Sequence, residues 1–355
     1  MFKKRLENLR EKMKESQLDG VLLVGNYNRN YMSGFTGDES FSIITLDKAI
    51  FITDSRYTKQ AKIQVKDYEI RQYAGNIFKF VADLVKEFNI HKLGFEEDVL
   101  TFKEYNAYKQ LVNCELVPLN KMVEALRVIK SEDEIEAIRK AANIADRAFY
   151  KILQFVKPGM TENEVAVELE YWMKKFNASG LSFPTIAASG ERSALPHGEP
   201  TEKVIKMGEF LTLDFGCVYN GYCSDMTRTI VMGNATEKMK EVYNVVLEAQ
   251  EAALKHYKPG VKASDVDKVA RDYIASKGYG EYFGHSLGHG VGRYIHEAPA
   301  VSPLGDTILE PGMVVTDEPG IYIPDEFGVR IEDLILITED GCEILSKTSK
   351  NMIIV

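Results

Sequence analysis

Three stretches of the chain concentrate side chains that bind cations or move protons. The first, FLTLDFGCVYNGYCSDMTRTIV, carries Asp214 and Asp225 on either side of Asn220-Gly221. Asn-Gly between two apolar runs marks a two-residue hairpin, because both central positions of a type I′ turn need positive φ. Facing residues then sum to 441, so Asp214 faces Thr227 and Asp225 lies diagonal to Asp214, within reach of a shared ligand. Two exposed Asp at a sheet edge are the plain alternative. However, Asp214 sits among Phe210, Leu211, Leu213 and Phe215, where a lone carboxylate is costly unless paired or metal-bound. The second stretch, FGHSLGHGVGRYIHEAP, holds His285, His289 and His296 among glycines that allow close backbone approach. With His197, these are four of the six histidines in the chain. The third comprises MVVTDEPGIYIP, with Glu318 at a strand end, and VRIEDLILIT, with Glu332 and, on the same face, Arg330. There an internal Glu332–Arg330 ion pair is the plain alternative. Together these stretches supply four carboxylates and one imidazole, an oxygen-rich set suited to hard divalent ions such as Mn²⁺ rather than thiolate-type zinc. Four negative charges match two divalent cations, which can activate a water. Cys217 and Cys223 flank the Asp pair as bystanders, since the odd offset puts Cys217 on the opposite strand face.

These residues need a scaffold. A length of 355 residues suggests two domains or three, and 45% hydrophobic with 27% charged residues excludes disorder, collagen and low complexity. The net charge of −9 argues against nucleic-acid or anionic-membrane partners. Four cysteines without a CxxC pair read as reduced thiols in a cytoplasm. The N-terminus reads as an amphipathic helix and not a signal peptide, and no apolar run approaches the roughly 18 residues of a membrane span. In the first 120 residues, helices at Phe2–Ser16, Asn76–Phe88 and Phe102–Val112 alternate with strands at Val21–Val24, Ser42–Thr45, Ala49–Thr53 and Lys92–Phe95. This is an α/β layer pattern. Pro118 marks a boundary, giving domains 1–121 and 122–355. The second part opens with a capping box, Ser131 to Glu134, and its first helix stops at Lys157-Pro158-Gly159 before a second, capped at Thr161. The unit echoes 101 residues later: Asn244–Gly260 also ends in Lys-Pro-Gly, and Ser264 caps the helix after it. Two helix pairs about a pseudo-twofold, backing a curved sheet built from 209–218, 222–232, 313–318 and 329–338, give an α+β fold.

The pieces DFGCVYNGYCSDMTRT, HSLGHGVGRYIHE, TDEPGIYIP and GVRIED resemble, in order and spacing, the pita-bread metallopeptidases: Xaa-Pro aminopeptidase, prolidase and methionine aminopeptidase. The resemblance implies the pita-bread fold from residue 122 onward and two divalent metal ions, Mn²⁺ first, Co²⁺ or Zn²⁺ as alternatives. It implies Asp214, Asp225, His289, Glu318 and Glu332 as ligands, with Asp225 and Glu332 bridging. It also implies Glu318 as proton shuttle, His197, His285 and His296 around the substrate, and Arg330 beside the bridging Glu332. Tyr31–Gly37 and Thr53–Tyr57 resemble the creatinase-type N-terminal domain, which methionine aminopeptidases lack. Creatinase in turn lacks the full ligand set, so a proline-specific exopeptidase remains. A non-enzymatic binding module on this scaffold would have lost ligands, and none is missing here. Arg293 is the only Lys or Arg between His289 and Glu318, in a slot where the family has an apolar residue. Without a clear basic anchor for a dipeptide's carboxylate, the expectation tilts to aminopeptidase P, with Xaa-Pro dipeptidase as the alternative. Proline-containing peptides are the expected partners, with a homodimer as the assembly.

Overall fold

The computed structural model describes residues 1–355, which form two compact units, Met1–Arg127 and Val128–Val355. No helix is long and apolar enough to cross a membrane.

In the first unit six strands form one sheet, in the order Glu69–Gln72, Ala49–Thr53, Ser40–Thr45, Gly20–Leu23, Lys92–Phe95 and Glu115–Pro118. The period-2 alternation of Gly20–Leu23 makes the layers. Val21 and Leu23 join Leu6, Leu9 and Met13 of helix Phe2–Glu15, while Leu22 joins Val81, Leu84 and Tyr108 of helices Ile77–Glu87 and Phe102–Leu111. The expected elements are present with ends shifted by one or two residues. The two edge strands and the short helices Asn26–Ser33 and Thr58–Gln64 are additions to that pattern, being short and carrying weak apolar periodicity. Pro118 ends an edge strand, where a missing N–H costs nothing, and does not begin a linker. The helix after it, Met122–Leu126, buries Val123 in the same cluster as Leu6 and Leu9, so this unit runs to Arg127.

The second unit holds two halves. Helices Glu132–Phe155 and Glu162–Lys175 pack on a four-stranded sheet ordered Ile353–Ile354, Met226–Val231, Phe210–Phe215, Ile186–Ser189. Helices Glu237–Leu254 and Ala263–Ser276 pack on a five-stranded sheet ordered Glu297–Val301, Gly288–Gly290, Val314–Asp317, Asp333–Ile337, Cys342–Ile344. The 101-residue echo is repeated in the hydrogen bonding. Gly159 N–H donates to the Ile205 carbonyl and Gly260 N–H to that of Leu309, and isolated bridges pair Thr161 with Val204 and Lys262 with Ile308. Ser264 does not cap its helix. Lys262 holds the N-cap position without a side-chain bond, and the amides of Ala263 and Ser264 are satisfied by the carbonyls of Thr307 and Gly305. Loop backbone does there what a hydroxyl would otherwise do.

The hairpin has the expected register. Asn220 and Gly221 both have positive φ, at 50° and 79°, and Asp214 pairs with Thr227. Where the ribbon breaks, the chains pinch: a Cβ at Gly216 would lie 1.9 Å from the Ser224 carbonyl oxygen. The substitution Gly216→Ala should therefore destabilise the protein by about 1–3 kcal/mol through overpacking, read as a lower urea midpoint; an unchanged midpoint would show that the pinch relaxes freely.

Candidate metal centre

The two halves meet at a cavity of about 400 Å³ lined by Asp214, Asp225, His289, Glu318 and Glu332 together with His197, His285, His296 and Arg330. All nine residues singled out in the sequence thus reach one space. The hairpin brings Asp214 and Asp225. Strand Gly288–Gly290 brings His289, whose own amide donates to Thr316 Oγ1 at 3.0 Å. Glu318 follows strand Val314–Asp317, and its N–H is held by the Leu287 carbonyl at 2.9 Å. Glu332 lies in the break between strands Phe327–Arg330 and Asp333–Ile337, with its N–H on the Thr227 carbonyl.

Single ligand atoms of Asp225, His289 and Glu332 all lie within 4.8 Å of one another. His289 Nε2 is 3.5 Å from Asp225 Oδ2 and 3.5 Å from Glu318 Oε1. His289 Nδ1 lies 3.1 Å from the Gly290 carbonyl. That contact needs the proton on Nδ1 and leaves the Nε2 lone pair facing the carboxylates. Burial lowers the His289 pKa to about 4, so the imidazole is neutral. Burial, reinforced by neighbouring carboxylates, pushes Asp225 and Glu332 well above the usual range, and burial pushes Glu318 up to about 8. Thr227 Oγ1 donates to Glu332 Oε2 at 2.6 Å, and Thr316 Oγ1 donates to Glu318 Oε1 at 3.2 Å. Asp214 Oδ1 is buried with no partner.

Arg330 is not the ion-pair partner of Glu332. It pairs with Asp214, Nη2 to Oδ2 at 2.7 Å, and also donates to Thr227 Oγ1, the Pro196 carbonyl and Tyr322 Oη. With its donors engaged inside the protein, it is a poor clamp for a substrate carboxylate. Tyr322 is a member of the site that the sequence pattern does not flag, although it lies just beyond Pro319-Gly320. Its hydroxyl accepts from Arg330 at 2.8 Å and lies 2.9 Å from His285 Nε2. His285 Nδ1 bonds the Ser286 carbonyl, and burial lowers this ring's pKa to about 4. Both nitrogens are therefore occupied, and the pocket meets the ring of His285 and not a free N–H. His296 lies with its ring centroid 4.5 Å from that of His289. His197 is exposed on the opposite lip. Arg293 faces away and stacks over Tyr222 at 4.4 Å. The thiols also face away: Cys217 Sγ bonds the Ala141 carbonyl and Cys223 Sγ that of Arg293.

Such a donor set fits hard divalent cations. Three carboxylates are held against each other in a buried place, a neutral imidazole aims its lone pair among them, and a fourth carboxylate has a free oxygen.

Residues 136–339 match metallopeptidase family M24, and residues 5–129 match the creatinase/prolidase N-terminal domain. A solved Xaa-Pro dipeptidase from Bacillus anthracis shares 51% identity over all of both chains, with a TM-score of 0.98. The Xaa-Pro dipeptidase of Pyrococcus furiosus is 41% identical over 99% of this chain and 100% of its own. An X-Pro aminopeptidase structure from Thermotoga maritima shares 40% identity, with a TM-score of 0.91, over 97% of this chain and 100% of its own. These likenesses carry the pita-bread fold expected from the sequence.

The raised carboxylates give a pH signature to the metal-free protein. An acid raised in the folded state stabilises below its unfolded pKa, and that stability is lost as pH climbs toward the folded value. For Glu318 the window runs from the ordinary 4.5 to about 8, and Asp225 and Glu332 act in the same direction. The neutral histidines oppose this only below about pH 6.5, the unfolded imidazole value. Chelator-treated protein should therefore melt at a lower temperature at pH 8 than at pH 6.5, and divalent metal should erase most of the difference. A metal-free midpoint flat over that window would show that the carboxylates do not repel.

Proposed function

The chain belongs to metallopeptidase family M24, and from that premise we propose that it is a Xaa-Pro dipeptidase using two divalent metal ions, Mn²⁺ before Co²⁺ or Zn²⁺. The observation that carries this reading is the convergence of four carboxylates and one imidazole on a cavity sized for a short peptide, walled by Phe183, Pro184, Ile186 and Pro196. Those apolar side chains suit a proline ring. The full-length likeness to Xaa-Pro dipeptidases favours a dipeptide over the longer peptides of aminopeptidase P. Arg293 is no argument against it, since its side chain is committed to Tyr222.

Asp214, Asp225, His289, Glu318 and Glu332 would hold the ions. Once bound, the ions lower the pKa of water and polarise the peptide carbonyl. The protein supplies the rest. Glu318 takes the proton released in the attack at its carboxylate and delivers it to the proline nitrogen. His296, beside His289, donates to the carbonyl oxygen as charge develops there. His285 and His197 bound the proline side. Arg330 fixes Asp214 and, through Tyr322, the His285 ring. The homodimer and a cytoplasmic setting, where the four free cysteines stay reduced, complete the proposal.

Metal-reconstituted enzyme should hydrolyse Xaa-Pro dipeptides and leave Xaa-Pro-Yaa peptides intact. Cleavage of the longer peptides would move the assignment to aminopeptidase P, and no cleavage of either would reject both. In Asp225→Asn and Glu332→Gln, bound metal and turnover should vanish together, measured by metal analysis and proline release. Either variant keeping full activity would remove that residue from the ligand set.

A further inference from the structure

We propose that Glu162, a residue the mechanism does not use, is a positioning residue that holds one wall of the substrate pocket in place; the inference rests on the dipeptidase reading. Glu162 opens helix Glu162–Lys175 and is fully buried. A carboxylate there must be paired, and its partners all come from one loop. Oε1 accepts from the amide of Ser189 at 2.8 Å and from its hydroxyl at 2.9 Å. Oε2 accepts from the amide of Thr201 at 3.1 Å, from its hydroxyl at 2.8 Å, and from Arg192 Nη1. One carboxylate therefore closes both ends of the loop from Ser189 to Thr201.

Between those ends the loop forms the pocket lip. Pro196, His197 and Glu199 line the cavity. Arg192 extends the clamp inward, since its Nη2 donates to the Glu199 carbonyl at 2.7 Å, and Glu199 N–H donates to the His197 carbonyl. From the far side Arg330 holds the Pro196 carbonyl at 3.1 Å. The loop is thus fastened at its base by Glu162 and at its tip by a residue of the metal centre, with His197 between. The second half carries a matching device. Asp267, on helix Ala263–Ser276, binds the Leu287 amide at 3.0 Å and Arg271, which donates to the carbonyls of Phe283 and His285. In each half the second helix of the pair holds the loop that brings a histidine to the cavity. Glu162 makes none of the contacts of the metal donors, so its loss should act on substrate and not on metal.

The test uses full-length metal-loaded enzyme and the variant Glu162→Gln. Trypsin should cut after Arg192 about tenfold faster than in wild type, reporting the loosened loop without reference to activity. KM for a Xaa-Pro dipeptide should rise about 5- to 30-fold, with kcat changed less than about threefold and Mn²⁺ binding by calorimetry unaltered. In a His197→Ala background the further effect of Glu162→Gln on KM should shrink to under about twofold, because both changes act through the same lip. Should Glu162→Gln fold poorly, Arg192→Gln removes both the ion pair to Glu162 and the hold on the Glu199 carbonyl, and should move KM in the same direction. An unchanged tryptic rate overturns the clamp, as does a loosened loop with unchanged KM. A joint fall in kcat and metal affinity overturns it too, by placing Glu162 on the metal centre. Absence of dipeptide turnover in wild type overturns the dipeptidase reading, while the tryptic rates still decide the clamp.

Discussion

Mutual repulsion among buried carboxylates organises the second unit. Two like charges about 4 Å apart repel by about 4 kcal/mol at an effective dielectric of 20, so crowding four of them is tolerable only if something answers the charge. Within the chain the answers are few: Arg330 on Asp214, the hydroxyls of Thr227 and Thr316 on Glu332 and Glu318, and a neutral imidazole in the middle. Arg330 offsets the charge of Asp214, the hydroxyls and the imidazole only orient the other acids, and divalent cations would supply the missing charge. The threonines stand next to the donors, one across the hairpin and one two residues before Glu318, so the strands that form the sheets also aim the acids.

The charge answers differ on the opposite side of the same strands. Asp333 is buried and fully answered, by Arg228 at 2.7 Å, Lys350 at 3.0 Å and Gln250 at 3.1 Å. Adjacent residues Glu332 and Asp333 thus have opposite electrostatic fates. One faces a cavity whose single arginine, Arg330, is paired with Asp214, and the other faces a network that also ties down the C-terminal segment through the carbonyls of Thr348 and Ser349. Asp317, paired across the sheet with Asp333, is also buried and has no hydrogen-bond partner on either oxygen, so burial and the Asp333 charge push its pKa well above the usual carboxylate range.

Much of this is legible in the residues. The Asn220-Gly221 turn sets a register that puts Asp214 opposite Thr227, and a turn type is a local property that one chain can declare. The echo at Lys-Pro-Gly is legible because two halves repeat the same punctuation. Partnerships between distant segments are not. Spacing sets Arg330 against Glu332, two residues away, whereas its partner is Asp214, and Tyr322 gives no signal beyond an aromatic in a strand. Sequence proximity is a poor guide to which carboxylate an arginine meets once strands cross. Ser264 misleads for a related reason: Lys262 holds the N-cap position, and the Ser264 amide is met by the Gly305 carbonyl, a partner distant in sequence. The tilt toward aminopeptidase P rests on the absence of a basic anchor in one segment, and the relatives favour the dipeptidase instead.

The donors come from both halves: Asp214 and Asp225 from the first, His289, Glu318 and Glu332 from the second. Each half has its own helix pair, sheet and apolar cluster. The contacts that join them at the centre span 105 residues from Thr227 to Glu332 and 116 from Asp214 to Arg330. Contacts that distant bear a larger loop-closure entropy than the helix hairpins within each half. Loop closure over that span is expected to follow formation of the helix hairpins, so that the acids meet late in folding. Their repulsion then weighs on how fast the finished seam reopens more than on how fast the halves assemble, which makes the centre a determinant of the native state's lifetime as well as of its chemistry.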